Sequence, residues 1–337
     1  MDYRGPVVAR SDLVKALFRT YRQGDDGGFR STAEALIEDE RRKRHDLLAN
    51  ELEAILDEPS VGRRPLQVSA LRPLPKGRDE IDLLELLQPS VSLQQVVLAP
   101  EVAVVVEGLV DEFRQRSALH AHGLDPRSTV LFVGPPGCGK SLTAEAIAGE
   151  LGIGMARVRL ATVVSSFLGE TARNLEQIFG FLRSGSWVLL FDEFDMLARE
   201  RGERVDHGEV RRIVTALLQL VEDAHTDSLV IATTNHPQLL DVALWRRFDE
   251  IVAFELPGAA ERAALVEMNL RTVRIALDVA TLVERTDGYT QAEIEQLCRD
   301  AMRLMVRSFD RSLTKAHLDY AAGRREERRQ AMRNSPA

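Results

Sequence analysis

A glycine-rich loop, GPPGCGKS at Gly134–Ser141, is the feature that most narrows the folds open to this chain. It follows directly on the apolar run TVLFV and opens the helical pattern LTAEAIAGEL. Such a loop can curl so that successive backbone N–H groups face inward, and the following helix adds the positive end of its dipole. The order of strand, loop and helix therefore predicts a phosphate-binding loop.

Two further apolar runs, WVLLFDE at Trp187–Glu193 and SLVIATTN at Ser228–Asn235, are separated from the first by helical segments. Continuous apolar strands that alternate with helices are typical of a parallel sheet with both faces covered. We therefore predict an α/β fold, a P-loop αβα sandwich. After ELPG at Glu255–Gly258 only helical patterns remain, which predicts a small all-helical domain with helices at Ala259–Leu270, Asp278–Arg285, Gln291–Ser308 and Thr314–Arg329.

The N-terminal part has a different character. A helical pattern from Ser11 meets the turn signal GDDGG at Gly24–Gly28, and a longer helical pattern covers Ser31–Leu56. The following residues are rich in Pro and Arg and lack periodicity, as in a linker. We predict an N-terminal helical domain at 1–58, a linker at 59–89, a large α/β domain at 90–257, and a helical domain with a basic tail at 258–337.

Composition excludes several classes of protein. The formal charge of −8 comes from 44 basic and 52 acidic residues mixed along the chain, so no dominant nucleic-acid footprint is present. Cys138 and Cys298 stand far apart, which indicates neither a disulfide framework nor a zinc site. No signal peptide or membrane span is recognisable, and we expect a cytoplasmic protein without a membrane span.

The phosphate loop and the second apolar run together predict a nucleotide site. Lys140 is expected to reach the β- and γ-phosphates, and the Ser141 hydroxyl to ligate Mg²⁺. Asp192 follows a buried strand at the edge where ligands bind in open α/β sheets, and would hold Mg²⁺ through water. The predicted nucleotide-binding residues are Gly134, Pro135, Pro136, Gly137, Cys138, Gly139, Lys140, Ser141, Leu142 and Asp192.

Four other side chains are candidates for the chemistry of hydrolysis. Glu193 is the expected general base that polarises water for attack on the γ-phosphate. Asn235, at the end of the third apolar run, would orient that water. Arg246 and Arg247, in LWRRFDE, are suited to stabilising charge on a transferring phosphoryl group, although surface salt bridges would also explain them. We therefore expect an Mg²⁺-dependent ATPase with ATP and Mg²⁺ as cofactors.

The segments GPPGCGKS, LLFDEFD, TTN and ALWRRFDE, in this order, resemble the AAA family of AAA+ ATPases over about Ser90–Tyr320. The resemblance implies an αβα nucleotide domain with a helical lid, assembled as a homo-oligomer, usually a hexameric ring. It also implies that arginines of one subunit act on the nucleotide of its neighbour. The contiguous RRF is similar to that of severing and membrane-remodelling members such as spastin and katanin. It leaves open which of Arg246 and Arg247 is the main residue to act on the neighbouring nucleotide.

The same resemblance gives a role to SSFLGETARNLEQIF, which is similar to the pore loop of AAA unfoldases. Phe167 and Leu168 would grip a threaded polypeptide, and Gly169 would let the loop move. Without the resemblance, Phe167 reads as a core residue. A second, polar loop at Arg199–Glu209 either faces the pore or is a plain solvated loop.

Two positions depart from the family pattern. Gln291 stands in GYTQAEIEQL where the family usually has a glycine near the adenine, and Asn269 stands where many members carry a His close to the ribose. Both changes leave ATP binding expected but affect base selectivity and affinity. Gln95–Val97 are expected near the adenine by position.

The leading functional hypothesis is a ring motor that unfolds or remodels protein substrates. The chain has no H-E-x-x-H or G-x-S-x-G motif, so degradation would need a separate protease. His120 and His122 read as helix-end residues. The alternatives are a nucleic-acid motor or loader, supported by the Arg-rich C-terminus, and a nucleotide-gated scaffold that controls a partner. Residues 1–89 are the expected place of partner specificity.

Overall fold

The computed structural model describes part of the chain, and it divides the whole into two compact units, Met1–Arg63 and Arg64–Ala337. The described residues are 13, 15–16, 20, 26–43, 73–77, 80–163, 168–183, 185–195, 227–239, 245–276 and 278–334.

The first unit contains helix α1, Asp26–Arg42. An exposed ion pair between Arg30 and Glu34, 3.2 Å apart, links neighbouring turns of the helix. The helix begins at Asp26, so the turn expected over Gly24–Gly28 is wrong for its last three residues. The predicted continuation of this helix toward Leu56 lies outside the described residues beyond Lys43.

Among the described residues of the second unit, six strands form one sheet: β1 (Leu84–Leu87), β2 (Thr129–Val133), β3 (Gly154–Val158), β4 (Trp187–Phe191), β5 (Leu229–Thr234) and β6 (Glu250–Ala253). Their order across the sheet is β1-β3-β4-β5-β2-β6. All neighbours pair in parallel except β1, which runs antiparallel to β3 at one edge.

The described helices of this unit lie between the first four strands and again after β6, where the chain becomes all-helical. They are α2 (Pro100–Arg114), α3 (Arg116–Ala121), α4 (Lys140–Leu151), α5 (Leu160–Val163), α6 (Leu168–Leu182), α7 (Ala259–Leu270), α8 (Val279–Arg285), α9 (Gln291–Arg307) and α10 (Lys315–Asn334).

The central strands are buried on both faces. In β2, Leu131 and Val133 belong to the core on one side, whereas Val130 and Phe132 belong to the core on the other. Helix α6 covers the first side, and α2 and α4 cover the second. The alternation follows from the two-residue period of a strand, and it explains why apolar residues follow one another along these strands. The predicted αβα architecture is confirmed.

The sheet is larger than the three apolar runs alone indicate. Strand β1 lies within 59–89, the range predicted as a linker, so the sheet includes residues that the sequence places outside it. Leu84 of this strand is fully buried, and its partner across the sheet is Val158 of β3. Pairing with β3 is what makes the short segment LELL a strand.

The C-terminal helices form a separate core, in which Leu265, Leu282, Ile294 and Leu297 are buried together. Thr290 caps α9 with a reciprocal pair of hydrogen bonds: its hydroxyl accepts from the N–H of Glu293, whose carboxylate accepts from the N–H of Thr290. The bounds of α7 to α9 agree with those predicted from the helical periodicity to within one residue.

Both cysteines are free thiols in buried positions. Burial raises the pKa of Cys298 to about 12, since the low dielectric around it disfavours the thiolate. Within the described part of the chain, no helix combines the length and the apolar character needed to cross a membrane.

Candidate functional site

The loop between β2 and α4 is held by glycines in conformations that other residues rarely adopt. Gly134, Gly137 and Gly139 have φ angles of 146°, 78° and 87°. A Cβ on Gly134 would lie 2.0 Å from the carbonyl oxygen of Phe254, so a side chain here would clash with the backbone. The predicted phosphate loop therefore has the tight backbone curvature that its sequence indicates.

Lys140, the first residue of α4, is only 6% exposed. Its ammonium group donates to the carbonyl oxygens of Gly134 and Pro135, at 2.7 and 2.8 Å, and to Oδ1 of Asn235 at 2.8 Å. Burial lowers the pKa of Lys140 because it disfavours the cation. The acceptors are neutral, so a phosphate anion in this loop would offset the cost of burying the charge.

Asp192 lies directly after β4, next to the start of α4. Its Oδ1 atom accepts hydrogen bonds from two hydroxyls, those of Ser141 and Thr233, each at 2.7 Å. A serine hydroxyl beside a carboxylate supplies the oxygen ligands that Mg²⁺ prefers. The donor set that the sequence predicts for this metal is thus brought together by the fold.

Glu193 follows in an unusual backbone conformation. Its φ angle is 53°, in the left-handed region that few residues other than glycine adopt. Its backbone N–H donates to the Thr233 hydroxyl at 3.1 Å, and its side chain is exposed toward the cleft. A carboxylate on an otherwise buried turn can meet both water and a bound phosphate.

Asp195 is a further acidic residue of LLFDEFD, and sequence reasoning gave it no role. It is 3% exposed, and its Oδ1 accepts from the Thr234 hydroxyl at 3.0 Å and from the N–H of Asn235 at 3.2 Å. These bonds fix the backbone of Asn235, whose side-chain amide accepts a hydrogen bond from Lys140. The sequence gives no local signal for this role, because the hydrogen bonds depend on the pairing of β4 with β5.

A cleft of about 500 Å³ joins these residues. Lys140, Ser141, Asp192, Glu193 and Asn235 all lie along it. Its lining also includes Gln95, Val96, Val97, Leu265, Met268, Asn269 and Gln291. The fold therefore connects the phosphate loop with the segment expected to meet the base and with two helices of the C-terminal domain.

The two residues that depart from the family pattern both line this cleft. The Gln291 amide donates to the carbonyl oxygen of Val97 at 3.0 Å, and a Cβ on Gly139 would lie 2.6 Å from its Oε1. The Asn269 amide donates to the carbonyl oxygen of Leu265, one turn earlier in α7, at 2.8 Å. Gln291 thus spans the cleft from the phosphate loop to the segment at Val97.

Arg246 and Arg247 are exposed and lie outside the set of described residues that line the cleft. Asp249 anchors their segment at the amino end of β2, where its Oδ2 accepts from the N–H groups of Ser128 and Thr129 at 2.8 and 2.9 Å. The phosphate loop begins at the other end of the same strand. The structure does not bring the arginines together with the rest of the predicted site.

The structure describes only some of the remaining predicted residues. Phe167 and Arg199–Glu209 lie outside the described residues, whereas Leu168 and Gly169 form the first turn of α6. The chain is therefore already helical at Leu168 and Gly169, which the sequence predicts as part of the pore loop. His120 and His122 stand in the last turn and at the C-terminal cap of α3, which confirms that they are helix-end residues.

The sequence matches two family models. Residues 130–256 match the model described as ATPase family associated with various cellular activities (AAA), and residues 276–320 match the AAA+ lid domain. The first range runs from the second residue of β2 to just past β6 and includes the phosphate loop. The second covers α8, α9 and the first six residues of α10. The matches therefore agree with the boundary between the sheet and the C-terminal helices.

Three relatives are similar over most of this chain. The uncharacterized AAA family ATPase y4kL of Sinorhizobium fredii is 40% identical over 300 residues, which are 89% of this chain and 90% of that protein. Protein SAV of Sulfolobus acidocaldarius is 30% identical, over 95% of this chain and 42% of its own length. The ATP-dependent zinc metalloprotease FtsH 4 of Sphaerobacter thermophilus is 31% identical, over 73% of this chain and 39% of its own length.

This chain thus spans most of the first relative but only about two fifths of each of the other two. The extensive identity to y4kL and the matched ATPase and lid models lead to one conclusion: the chain is an ATP-hydrolysing member of the AAA family.

Proposed function

We propose that hydrolysis is carried out by Lys140, Glu193 and Asn235 at the carboxyl edge of the sheet. Lys140 binds the β- and γ-phosphates, and Asn235 orients the attacking water. Glu193 accepts the proton of that water as it attacks the γ-phosphorus. The observation that carries these roles is the convergence of all three residues on one cleft beside the phosphate loop.

Mg²⁺ fits the same edge. The Ser141 hydroxyl would ligate the ion directly, and Asp192 would hold it through a water molecule. When bound, the ion shields the negative charge of the phosphate oxygens and so lowers the barrier to attack. The contact between Ser141 and Asp192 supports this assignment because it places the two oxygen ligands side by side.

Arg246 and Arg247 are proposed to act on the nucleotide of a neighbouring subunit in a homo-oligomeric ring, of hexameric size in the family that the sequence resembles. Their segment is anchored at the amino end of β2, and the phosphate loop of the same chain lies at the other end. A five-residue strand is roughly 13–16 Å long, which separates the two guanidinium groups from their own phosphate site. A second copy of the chain would bring its own Arg246 and Arg247 within reach of this phosphate site.

The proposed work of the ring is to unfold or remodel proteins that it threads through a pore lined by Phe167 and Leu168. The motor class is supported by the similarity to FtsH 4, whose name describes an ATP-dependent protease. This sequence has no H-E-x-x-H motif, so proteolysis would require a separate partner. Specificity would come from residues 1–89.

A nucleic-acid motor has less support. Its main argument is the Arg-rich C-terminus, but Arg324 forms an ion pair with Glu327 at 3.2 Å and Arg325 with Glu293 at 3.4 Å. Paired arginines offer less charge to phosphates than unpaired ones do. A nucleotide-gated scaffold shares the ATP site with the motor and differs from it in needing no pore contact.

Replacing the proposed base tests its role in turnover. Glu193→Gln keeps the size and the hydrogen-bonding capacity of the side chain but cannot accept the proton. We expect ATP binding to persist while phosphate release falls by about 100-fold or more. Glu107→Gln, at an exposed position of α2, is the control and should keep full turnover. Wild-type phosphate release by the Glu193 variant would remove Glu193 from this role.

Mixing two inactive proteins tests whether the arginines act between subunits. One carries Lys140→Ala, and the other carries both Arg246→Ala and Arg247→Ala. In an equal random mixture, about one interface in four joins an intact phosphate site to an intact arginine pair. We expect turnover to return on mixing, measured as phosphate release. A mixture as inactive as its components would contradict action across the interface.

Capture of trapped material tests the threading model. A Glu193→Gln protein expressed in cells should retain a cellular polypeptide in the presence of ATP. Mass spectrometry of the purified protein would detect the retained polypeptide. Adding Phe167→Ala should release it, because the pore contact is lost. Adding Phe309→Ala, which removes a phenylalanine that is 94% exposed, should not. Retention despite Phe167→Ala would contradict threading, and retained nucleic acid would favour the alternative motor.

The contact made by Gln291 predicts an effect on affinity. Its side chain occupies part of the cleft, so nucleotide must displace its hydrogen bond to Val97. Gln291→Ala should therefore tighten ATP binding by about 2- to 10-fold, the usual worth of one neutral hydrogen bond. Fluorescent-nucleotide titration measures this. Gln296→Ala, which removes the amide that donates to Asp300 at 2.9 Å on the same helix, should leave affinity unchanged.

A further inference from the structure

The Thr233 hydroxyl lies between the two acidic residues of the site. Thr233 is 1% exposed and stands on β5, next to β4. Its hydroxyl donates to Asp192 Oδ1 at 2.7 Å and accepts from the N–H of Glu193 at 3.1 Å. One buried oxygen atom therefore contacts the side chain of one acidic residue and the backbone of the next.

The contact to Asp192 restricts the orientation of its carboxylate. Oδ1 already accepts the hydroxyl of Ser141, and the hydroxyl of Thr233 reaches the same atom from the neighbouring strand. Two donors on one oxygen leave the carboxylate little freedom to rotate. Without Thr233, the remaining bond from Ser141 would allow the group to turn about a single contact.

The contact to Glu193 stabilises an uncommon backbone conformation. A non-glycine residue with a φ angle of 53° persists when surrounding contacts determine it. Here the N–H of Glu193 bonds the Thr233 hydroxyl, and the N–H of Phe194 bonds the Thr233 carbonyl oxygen at 2.8 Å. Thr233 thus holds the turn that directs the Glu193 side chain into the cleft.

We propose that Thr233 is a positioning residue for ATP hydrolysis, in which one hydroxyl fixes Asp192 for the metal and Glu193 for the attacking water. The proposal rests on the roles assigned to Asp192 and Glu193 above. Thr233 does not itself need to touch the nucleotide. Its hydroxyl acts through the two acidic residues, so its loss should change turnover and metal dependence more than nucleotide affinity.

The decisive variant is Thr233→Val, which keeps the branched shape and loses the hydroxyl. We expect kcat to fall by about 10- to 100-fold, the effect of losing a hydrogen bond to a charged group. The KM for ATP should stay within about threefold, because Lys140 and the loop backbone are unchanged. The Mg²⁺ concentration that gives half-maximal activity should rise severalfold, since Asp192 is no longer held. The Kd for Mg²⁺, measured by calorimetry with a non-hydrolysable ATP analogue bound, should rise by a similar factor.

Three companion variants separate positioning from general stability. Thr233→Ser retains the hydroxyl and should restore kcat and the Mg²⁺ dependence to near the wild-type values. Thr286→Val removes another fully buried threonine hydroxyl, which donates to the Val283 carbonyl oxygen in the C-terminal domain, and should leave both unchanged. If Thr233→Val does not fold, Thr233→Ala deletes the same hydroxyl from a smaller side chain.

The outcomes also distinguish this proposal from the one on which it rests. Full turnover by Glu193→Gln would overturn the assigned base and, with it, the reason for positioning. Loss of turnover in Glu193→Gln together with unchanged kcat and Mg²⁺ dependence in Thr233→Val would overturn the role of Thr233 alone. Equal losses in Thr233→Val and Thr233→Ser would show that shape rather than the hydroxyl matters, and would also overturn it.

Discussion

The buried ammonium group of Lys140 is the constraint on which the arrangement of the site depends. It is bonded to the first two residues of the phosphate loop and to Asn235, which follows β5. A charge at this depth is tolerated only with a full set of partners. The curvature of the loop and the register of β5 against β2 bring these partners to the ammonium group. The packing of the sheet and the binding of an anion therefore stabilise the same buried charge.

The sequence was most informative where local chemistry decides the structure. The glycines of the loop, the apolar strand before it and the capped helix α9 each have a signature that spans a few residues, and each lies where predicted. Strands β1 and β6 are short, and β3 carries a glycine and an arginine, so their patterns are weak. They become strands by pairing with a neighbour that is distant in the chain, and a short stretch of sequence cannot show that pairing.

The same reasoning explains what was missed in the site. Asp192 and Glu193 follow a recognisable strand, but the roles of Asp195 and Thr233 depend on the lateral pairing of β4 with β5, which sets Phe191 opposite Ala232. That pairing brings the two strand ends together although the sequence separates them by about 40 residues. Gln291 was visible as an unusual residue, whereas its contact with Val97 required the packing of the C-terminal domain on the cleft.

Strand β2 has a mechanical consequence for the proposed oligomer. Its five residues are buried and hydrogen-bonded on both sides, so it can neither stretch nor bend independently of the sheet. One end leads into the phosphate loop, and the other holds the segment of Arg246 and Arg247 through Asp249. Any shift of the loop on binding ATP would therefore displace the arginines together with the strand. In the proposed oligomer, the strand would thus couple the nucleotide of one subunit to the nucleotide of its neighbour.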